Sequence, residues 1–219
     1  MYYQIRGLVL NVKTHNDADK AALIYTYEWG KITALVPSAK KIAAKLNGAT
    51  EPLTESEFMV YQNHQLMRPK ITGAQIINNH SKIKTTFKSN LYALYAAEIS
   101  DKLLPFNTPN EQKYRLISRI WTALEECKNC SRALSAFTLR FLSLSGYDFR
   151  DYIKTGNLSI DAESAQIINK ISNCNAADLD EMDFDDKKIS ALVEEYLLNY
   201  IKKPSVSTFI QKLQKHGHF

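Results

Sequence analysis

Residues 21–36 read AALIYTYEWGKITALV, and this stretch decides the fold. Ala21 to Trp29 is rich in β-branched and aromatic residues and predicts a strand. Gly30-Lys31 predicts a tight turn, Ile32 to Val36 a return strand, and Pro37 closes it. Upstream, Tyr3 to Val12 alternates as a strand does, and Thr14 to Asp19 has a loop's composition. Downstream, Ser38 to Leu46 predicts a short helix or a basic loop. Two more strands follow, Ser56 to Tyr61 and Leu66 to Ile77, with Pro69 and Gly73 marking bulges or ends in the last. Five short strands with an excursion after the third is the element order of an OB-fold barrel; another small barrel, such as an SH3-like one, has a related pattern.

From about residue 86 the period turns helical. Leu91, Leu94, Tyr95, Ile99 and Leu103 lie at three- and four-residue steps before Pro105. Tyr114 to Leu124 predicts a second helix. Leu134 to Leu144 predicts a third, apolar enough to be buried and ended by Gly146. Asp161 is an N-cap for Ala162 to Ile171, and Pro204 separates Lys187–Ile201 from Ser205–Leu213. The expected fold is therefore α+β: a five-stranded OB-fold barrel over residues 1–80, then an all-helical domain over 81–219. The boundary near 78–88 lacks linker composition.

The 219 residues are 45% hydrophobic and 23% charged, enough apolar content for a core. The formal charge of +5 permits an acidic partner without demanding one. Its distribution says more. Residues 1–90 hold 12 Lys/Arg against 6 Asp/Glu, a net of +6, and residues 91–219 hold 16 against 17, a net of −1. No acid stands between Glu57 and Glu98, while Arg68, Lys70, Lys82, Lys84 and Lys88 do. No apolar run approaches the roughly 18–20 residues of a membrane span. The start lacks a secretory pattern, and three cysteines suit a reducing cytoplasm better than a disulfide framework.

Catalytic signals are missing. Cys127-Lys128-Asn129-Cys130 is a lone CxxC, whereas a structural zinc takes four ligands, and the pair sits between helices rather than after a strand. His15, His64, His80, His216 and His218 stand singly. Neither GxxxxGK[ST] nor GxGxxG occurs, and the acidic run Asp178 to Asp186 lacks the glycine and distal glutamate of a calcium loop. No catalytic residue, metal ligand or cofactor is expected, and the chain reads as a binding protein rather than an enzyme.

The basic residues carry more. Lys31, Lys40, Lys41 and Lys45 surround the third strand and its excursion, and Arg68 and Lys70 lie by the fifth strand. An OB barrel binds with strands two and three and the adjacent loops. Tyr25, Tyr27 and Trp29 at period two would share one face beside those lysines, offering stacking for bases and cations for phosphates. The same residues also fit core tyrosines and solvated lysines.

The order of segments resembles the RecO family of bacterial recombination mediators over nearly the whole length. Ile5-Arg6-Gly7-Leu8-Val9-Leu10 is similar to the family's opening strand. Ala22 to Val36 is similar to its strand, turn glycine and return strand, and Glu51-Pro52-Leu53 to the start of its next strand. Tyr92 to Ile99 is similar to its Tyr-x-x-Glu-apolar helix, and Phe137 to Tyr147 to its buried helix ending in glycine. The resemblance implies a cytoplasmic, nucleoid-associated DNA repair mediator without catalytic turnover. Such a protein binds single- and double-stranded DNA, anneals complementary strands, contacts the tail of single-stranded DNA-binding protein, and acts with RecR to load RecA.

Two departures accompany it. Pro37-Ser38-Ala39-Lys40-Lys41 stands where the family prefers glycine-alanine-basic-basic. Many members also carry a zinc-binding CxxC after the buried helix, where this chain has Asp148 to Lys154 and no cysteine, so zinc is not carried over. The expected DNA surface is Lys31, Lys40, Lys41, Lys45, Arg68, Lys70, Tyr27 and Trp29, and Arg132 and Arg140 are candidates for holding a partner's acidic tail. The alternative is an OB-fold interaction scaffold without nucleic acid binding.

Overall fold

The computed structural model describes residues 1–37, 46–63, 68–126, 128–154, 160–174 and 176–215, leaving aside the side chains of 176, 177, 180 and 211–215. Five strands, β1 (Tyr2–Thr14), β2 (Lys20–Thr26), β3 (Gly30–Val36), β4 (Glu55–Tyr61) and β5 (Lys70–Asn78), form a closed barrel in the order β1-β2-β3-β5-β4. Closure leaves no open sheet edge. The joining pair, β3 with β5, is parallel at Leu35 and Lys70, and the Leu35 N–H donates to the Pro69 carbonyl at 2.8 Å. The five-stranded barrel and the helical region after it are as the sequence leads one to expect.

β1 is long because it serves two sides of the barrel. Tyr2 to Leu8 pairs with β4 and Gly7 to Thr14 with β2, and the register shifts between Val9 and Asn11. Such a bulge bends the strand between its two partners. The core holds Ile5, Val9, Ala22, Ile24, Ile32, Ala34, Val36, Phe58, Val60 and Ile71. Ile24 faces Ile32 and Ala22 faces Ala34 in register, large beside large and small beside small. Each buried Ile or Val of this core contributes about 1.5–3 kcal/mol by leaving water, and the alanines less.

One detail of the β2–β3 hairpin differs from the sequence pattern. β2 ends at Thr26, so Tyr27, Glu28 and Trp29 form the turn and Gly30 opens β3. Thr26 makes the change. Its hydroxyl donates to the Gly30 carbonyl and accepts from the Trp29 N–H, both at 2.9 Å. Gly30 has φ +71°, and a Cβ there would lie 2.4 Å from the Thr108 carbonyl carbon. Only glycine meets both conditions.

The described chain divides into two compact units, one of Met1–Lys82 with Leu104–Ser118, the other of Ile83–Leu103 with Arg119–Phe219. In the barrel unit, Phe106 forms a parallel bridge with Lys31, and the Asn107 N–H donates to the Lys31 carbonyl at 3.0 Å. The Tyr25 hydroxyl donates to the Asn110 carbonyl at 3.2 Å.

The helices are α1 (Ser81–Thr85), α2 (Phe87–Leu103), α3 (Glu111–Glu126), α4 (Cys130–Ser143), α5 (Phe149–Lys154), α6 (Ala162–Asn173), α7 (Ala176–Glu181), α8 (Asp186–Leu198) and α9 (Ser205–Lys215). In the helical unit α4 is central, packed against α2, α6, α7 and α8. Its buried Leu134, Phe137, Leu139, Phe141 and Leu142 explain why it is so apolar. The Asn129 side chain caps its start, and Gly146, at φ +87°, turns the chain away after its end. Among the described residues, no helix is long and apolar enough to cross a membrane.

Candidate nucleic-acid interface

The described members of the sequence-predicted set differ in burial and in partners. Lys40, Lys41 and Lys45 lie outside the described residues, as do Cys127, His64, His216 and His218. Arg68 and Lys70 are exposed at the entry to β5, and neither makes an ion pair among the described residues. Lys31 is only 5% exposed, with Nζ 4.5 Å from the centroid of the Phe106 ring. A cation held over an aromatic face is attracted by the ring quadrupole, so Lys31 has a partner inside its own unit.

The aromatic side chains diverge for the reason seen in the hairpin. Tyr25 is fully buried. Tyr27 and Trp29 sit in the turn and are half-buried: Tyr27 meets Tyr114 edge-on at 5.5 Å, and Trp29 meets Tyr3 edge-on at 5.1 Å. Trp29 also packs against the barrel core.

Next to that turn lies a polar network. Glu55, at the start of β4, is 8% exposed and accepts from the Tyr114 hydroxyl and the Ser118 hydroxyl, both at 3.0 Å. The Arg6 guanidinium lies 5.2 Å from the Tyr27 centroid and 5.5 Å from that of Tyr114, with Nε 3.9 Å from Glu55. Burial first, then the adjacent Glu55 carboxylate, push the Tyr114 hydroxyl far above the ordinary phenol range, so it stays a donor. This arrangement fastens the first half of α3, up to Ser118, to β4 within the barrel unit.

In the helical unit, Arg132 and Arg140 are engaged internally. Arg132 Nε donates to Asp186 at 2.5 Å, its Nη1 donates to the Leu179 carbonyl at 3.0 Å and to the Met182 carbonyl, and its guanidinium stacks 4.3 Å from the Phe184 ring. Arg140 donates to the Ser172 carbonyl at 2.9 Å, the Ile171 carbonyl at 3.1 Å and the Cys174 carbonyl. These are the carbonyls a helix end leaves without partners, so Arg140 closes the C-terminus of α6.

The same unit contains a pocket of about 230 Å³, lined by Tyr92 and Tyr95 of α2, Leu134 and Thr138 of α4, Glu194 of α8 and Ser207 of α9, among others. The Ser207 hydroxyl donates to Glu194. Beside it, Glu98 accepts from the Ser205 N–H at 2.9 Å and the Val206 N–H at 3.1 Å, anchoring the first turn of α9. Among the described residues no cluster of three or more His, Cys, Asp or Glu is placed to hold a metal ion.

Comparison with known families bears on this two-part chain. Residues 1–80 match the family described as Recombination protein O N terminal, and residues 84–150 match Recombination protein O C terminal. The chain belongs to the RecO family. Among its curated relatives, the DNA repair protein RecO of Syntrophus aciditrophicus is 25% identical over 145 residues, covering 66% of this chain and 56% of that protein. Its counterpart in Clostridium perfringens is 28% identical over 152 residues, covering 66% and 58%. The chain thus spans little more than half the length of the RecO relatives it matches. The family match brackets the barrel and the start of the helical unit, including all of α4.

Sequence reasoning passed over Tyr2, Met59 and Tyr61, all on the outer face of the barrel. The signal was present in β4: Phe58 and Val60 are buried, so Met59 and Tyr61 had to face outward, where polar residues are the rule.

Proposed function

We propose that this chain is a DNA repair mediator whose barrel unit binds single- and double-stranded DNA through the phosphate backbone and anneals complementary strands. The observation that carries this reading is family membership over 1–80 and 84–150, with relatives named DNA repair protein RecO. The charge split supports it, with +6 on residues 1–90, which include the barrel strands, and −1 on the rest. Phosphates attract such a half at any sequence, and Arg68 and Lys70 are its exposed cations by β5. Lys40, Lys41 and Lys45 add charge after β3. Neutralising two strands at one surface lowers the repulsion that opposes their pairing.

The helical unit is the proposed docking half, taking the acidic, apolar tail of a single-stranded DNA-binding protein. With a RecR-like partner, the complex helps load a RecA-type recombinase onto coated strands in the cytoplasm, at the nucleoid. No step in this role requires turnover of a small molecule, so the chain acts as a binding protein and not as an enzyme. Arg132 and Arg140 hold the helical unit together, and a tail that used them would compete with Asp186 and with backbone carbonyls.

The second reading, an interaction scaffold without nucleic acid binding, is favoured by one observation: Lys31, beside the expected binding strands, is buried against Phe106. An annealing assay separates the two. Complementary strands carrying a donor and an acceptor dye should pair faster with the protein than without it, both bare and coated with single-stranded DNA-binding protein. Unchanged pairing rates for bare strands would favour the scaffold.

A further inference from the structure

The outward face shared by β1, β4 and β5 carries Tyr2, Tyr61 and Met59 together at one end, where a strand with one wet face is usually polar. Tyr2 pairs in register with Tyr61, and Tyr61 with Lys70. Cross-strand partners share a face, so the three stand in one row. In the next row Gln4 lies opposite Met59. Phe58, Val60 and Ile71, the inward neighbours, are buried, which fixes these rows as outer ones. Tyr2 is 67% exposed and Met59 40% exposed. The Tyr2 and Tyr61 rings lie 5.1 Å apart, inclined at 52°.

The platform is held in place before anything binds. The Gln62 N–H donates to the Met1 carbonyl at 3.0 Å, extending the β1–β4 pairing past Tyr2. Asn63 Nδ2 donates to the Tyr61 hydroxyl at 3.4 Å, and the Thr72 hydroxyl donates to the Met59 carbonyl at 3.1 Å. Lys70 closes the row and Arg68 precedes it by two positions, both exposed and outside any ion pair among the described residues. The carboxylate nearest along β4, Glu57, stands two positions beyond Met59 and opposite Arg6 in register.

We propose that Tyr2, Tyr61 and Met59 form a stacking platform for unpaired bases, with Arg68 and Lys70 holding the phosphates beside it. The occupant is single-stranded nucleic acid. Aromatic faces in a row with cations at its end match the repeating base and phosphate of a single strand, and stacking tolerates any base because every base has a π-face. A second copy of the chain is disfavoured, because a two-fold interface would set the same cations against each other. The proposal rests on the DNA-binding reading above and gives it a place and a preference for unpaired strands.

The test uses the full chain and two labelled oligonucleotides of equal length, one of thymidylates and one abasic. Wild type should favour the base-bearing strand by about fivefold or more. Tyr2→Ala/Tyr61→Ala should abolish that preference and leave abasic binding unchanged. Arg68→Ala/Lys70→Ala should weaken both and flatten the salt dependence. Should the alanine pair lower the melting temperature, Tyr2→Leu/Tyr61→Leu keeps apolar bulk without the ring faces and should lose the preference in the same way. If wild type binds neither strand, the DNA-binding reading fails as well. If it binds and its base preference survives the tyrosine variants, the platform alone is refuted. A change confined to self-association in sedimentation would mark the face as an interface between copies and overturn the proposal.

Discussion

The Tyr114 hydroxyl donates to the Glu55 carboxylate at 3.0 Å, joining the first half of α3 to the start of β4 across 59 positions of sequence. Ser118 supplies the second donor, and Arg6 the nearby positive charge. Tyr114→Phe therefore removes one bond and leaves Glu55 with Ser118. The expected cost is about 1–2 kcal/mol, read as a lower urea midpoint. Glu55→Ala removes both hydrogen bonds at once and should cost more. Equal midpoints for wild type and Tyr114→Phe would show that the bond does not hold the barrel unit together.

Tyr114 also gives the barrel an alkaline limit. Its folded state titrates far above the ordinary value of 10.0. The unfolded chain therefore releases this proton first as pH rises. The stability it contributes is fully present below about pH 10 and declines above it. Unfolding midpoints measured from about pH 9 to 11 should fall less in Tyr114→Phe than in wild type.

The acid limit belongs to the helical unit. Hydrogen bonds from Lys188 and from the Ser164 N–H hold Asp161 below its ordinary 3.8. Burial alone would raise Glu98, but the Ser205 and Val206 N–H groups outweigh it and hold Glu98 below 4.5. Both stabilise at neutral pH, and both lose that contribution as pH falls through and below the ordinary carboxylate range. In Asp161→Asn and Glu98→Gln the melting temperature should drop less than in wild type between about pH 5 and pH 3.

Gly30→Ala tests the close approach of the segment after α2. The new Cβ meets the Thr108 backbone at 2.4 to 2.6 Å, in a left-handed conformation that alanine resists. A destabilisation of about 1–3 kcal/mol or more is expected, with faster proteolysis near residue 108. A variant as resistant as wild type would place the 104–110 segment elsewhere.

The succession of five strands was legible because β1 alternates, β2 is rich in β-branched and aromatic residues, and Thr14–Asp19, Pro37 and Pro69 punctuate the chain. The β2–β3 turn nevertheless falls at Tyr27–Trp29 and not at Gly30-Lys31. The buried helix α4 was legible from its unbroken apolar content. What could not be read was contact between distant segments. Lys31 looks like any surface lysine until Phe106, 75 positions on, is seen beneath its amino group. Tyr25, Tyr27 and Trp29 share a face only if the strand continues, and the Thr26 hydroxyl ends it. Arg132 and Arg140 resemble free cations until their carbonyl partners, more than thirty positions away, are in place. Arg140→Ala should therefore act on stability, lowering it by about 1.5–3 kcal/mol. A variant that melts like wild type but loses a partner peptide would return Arg140 to a docking role.

The central claim is that the chain binds DNA through phosphate contacts, and a titration of labelled single-stranded DNA at two salt concentrations addresses it most directly. Affinity in the micromolar range or tighter at about 50 mM salt, falling steeply at about 200 mM as counterions return, is the predicted result. No binding at about 50 mM salt would contradict it.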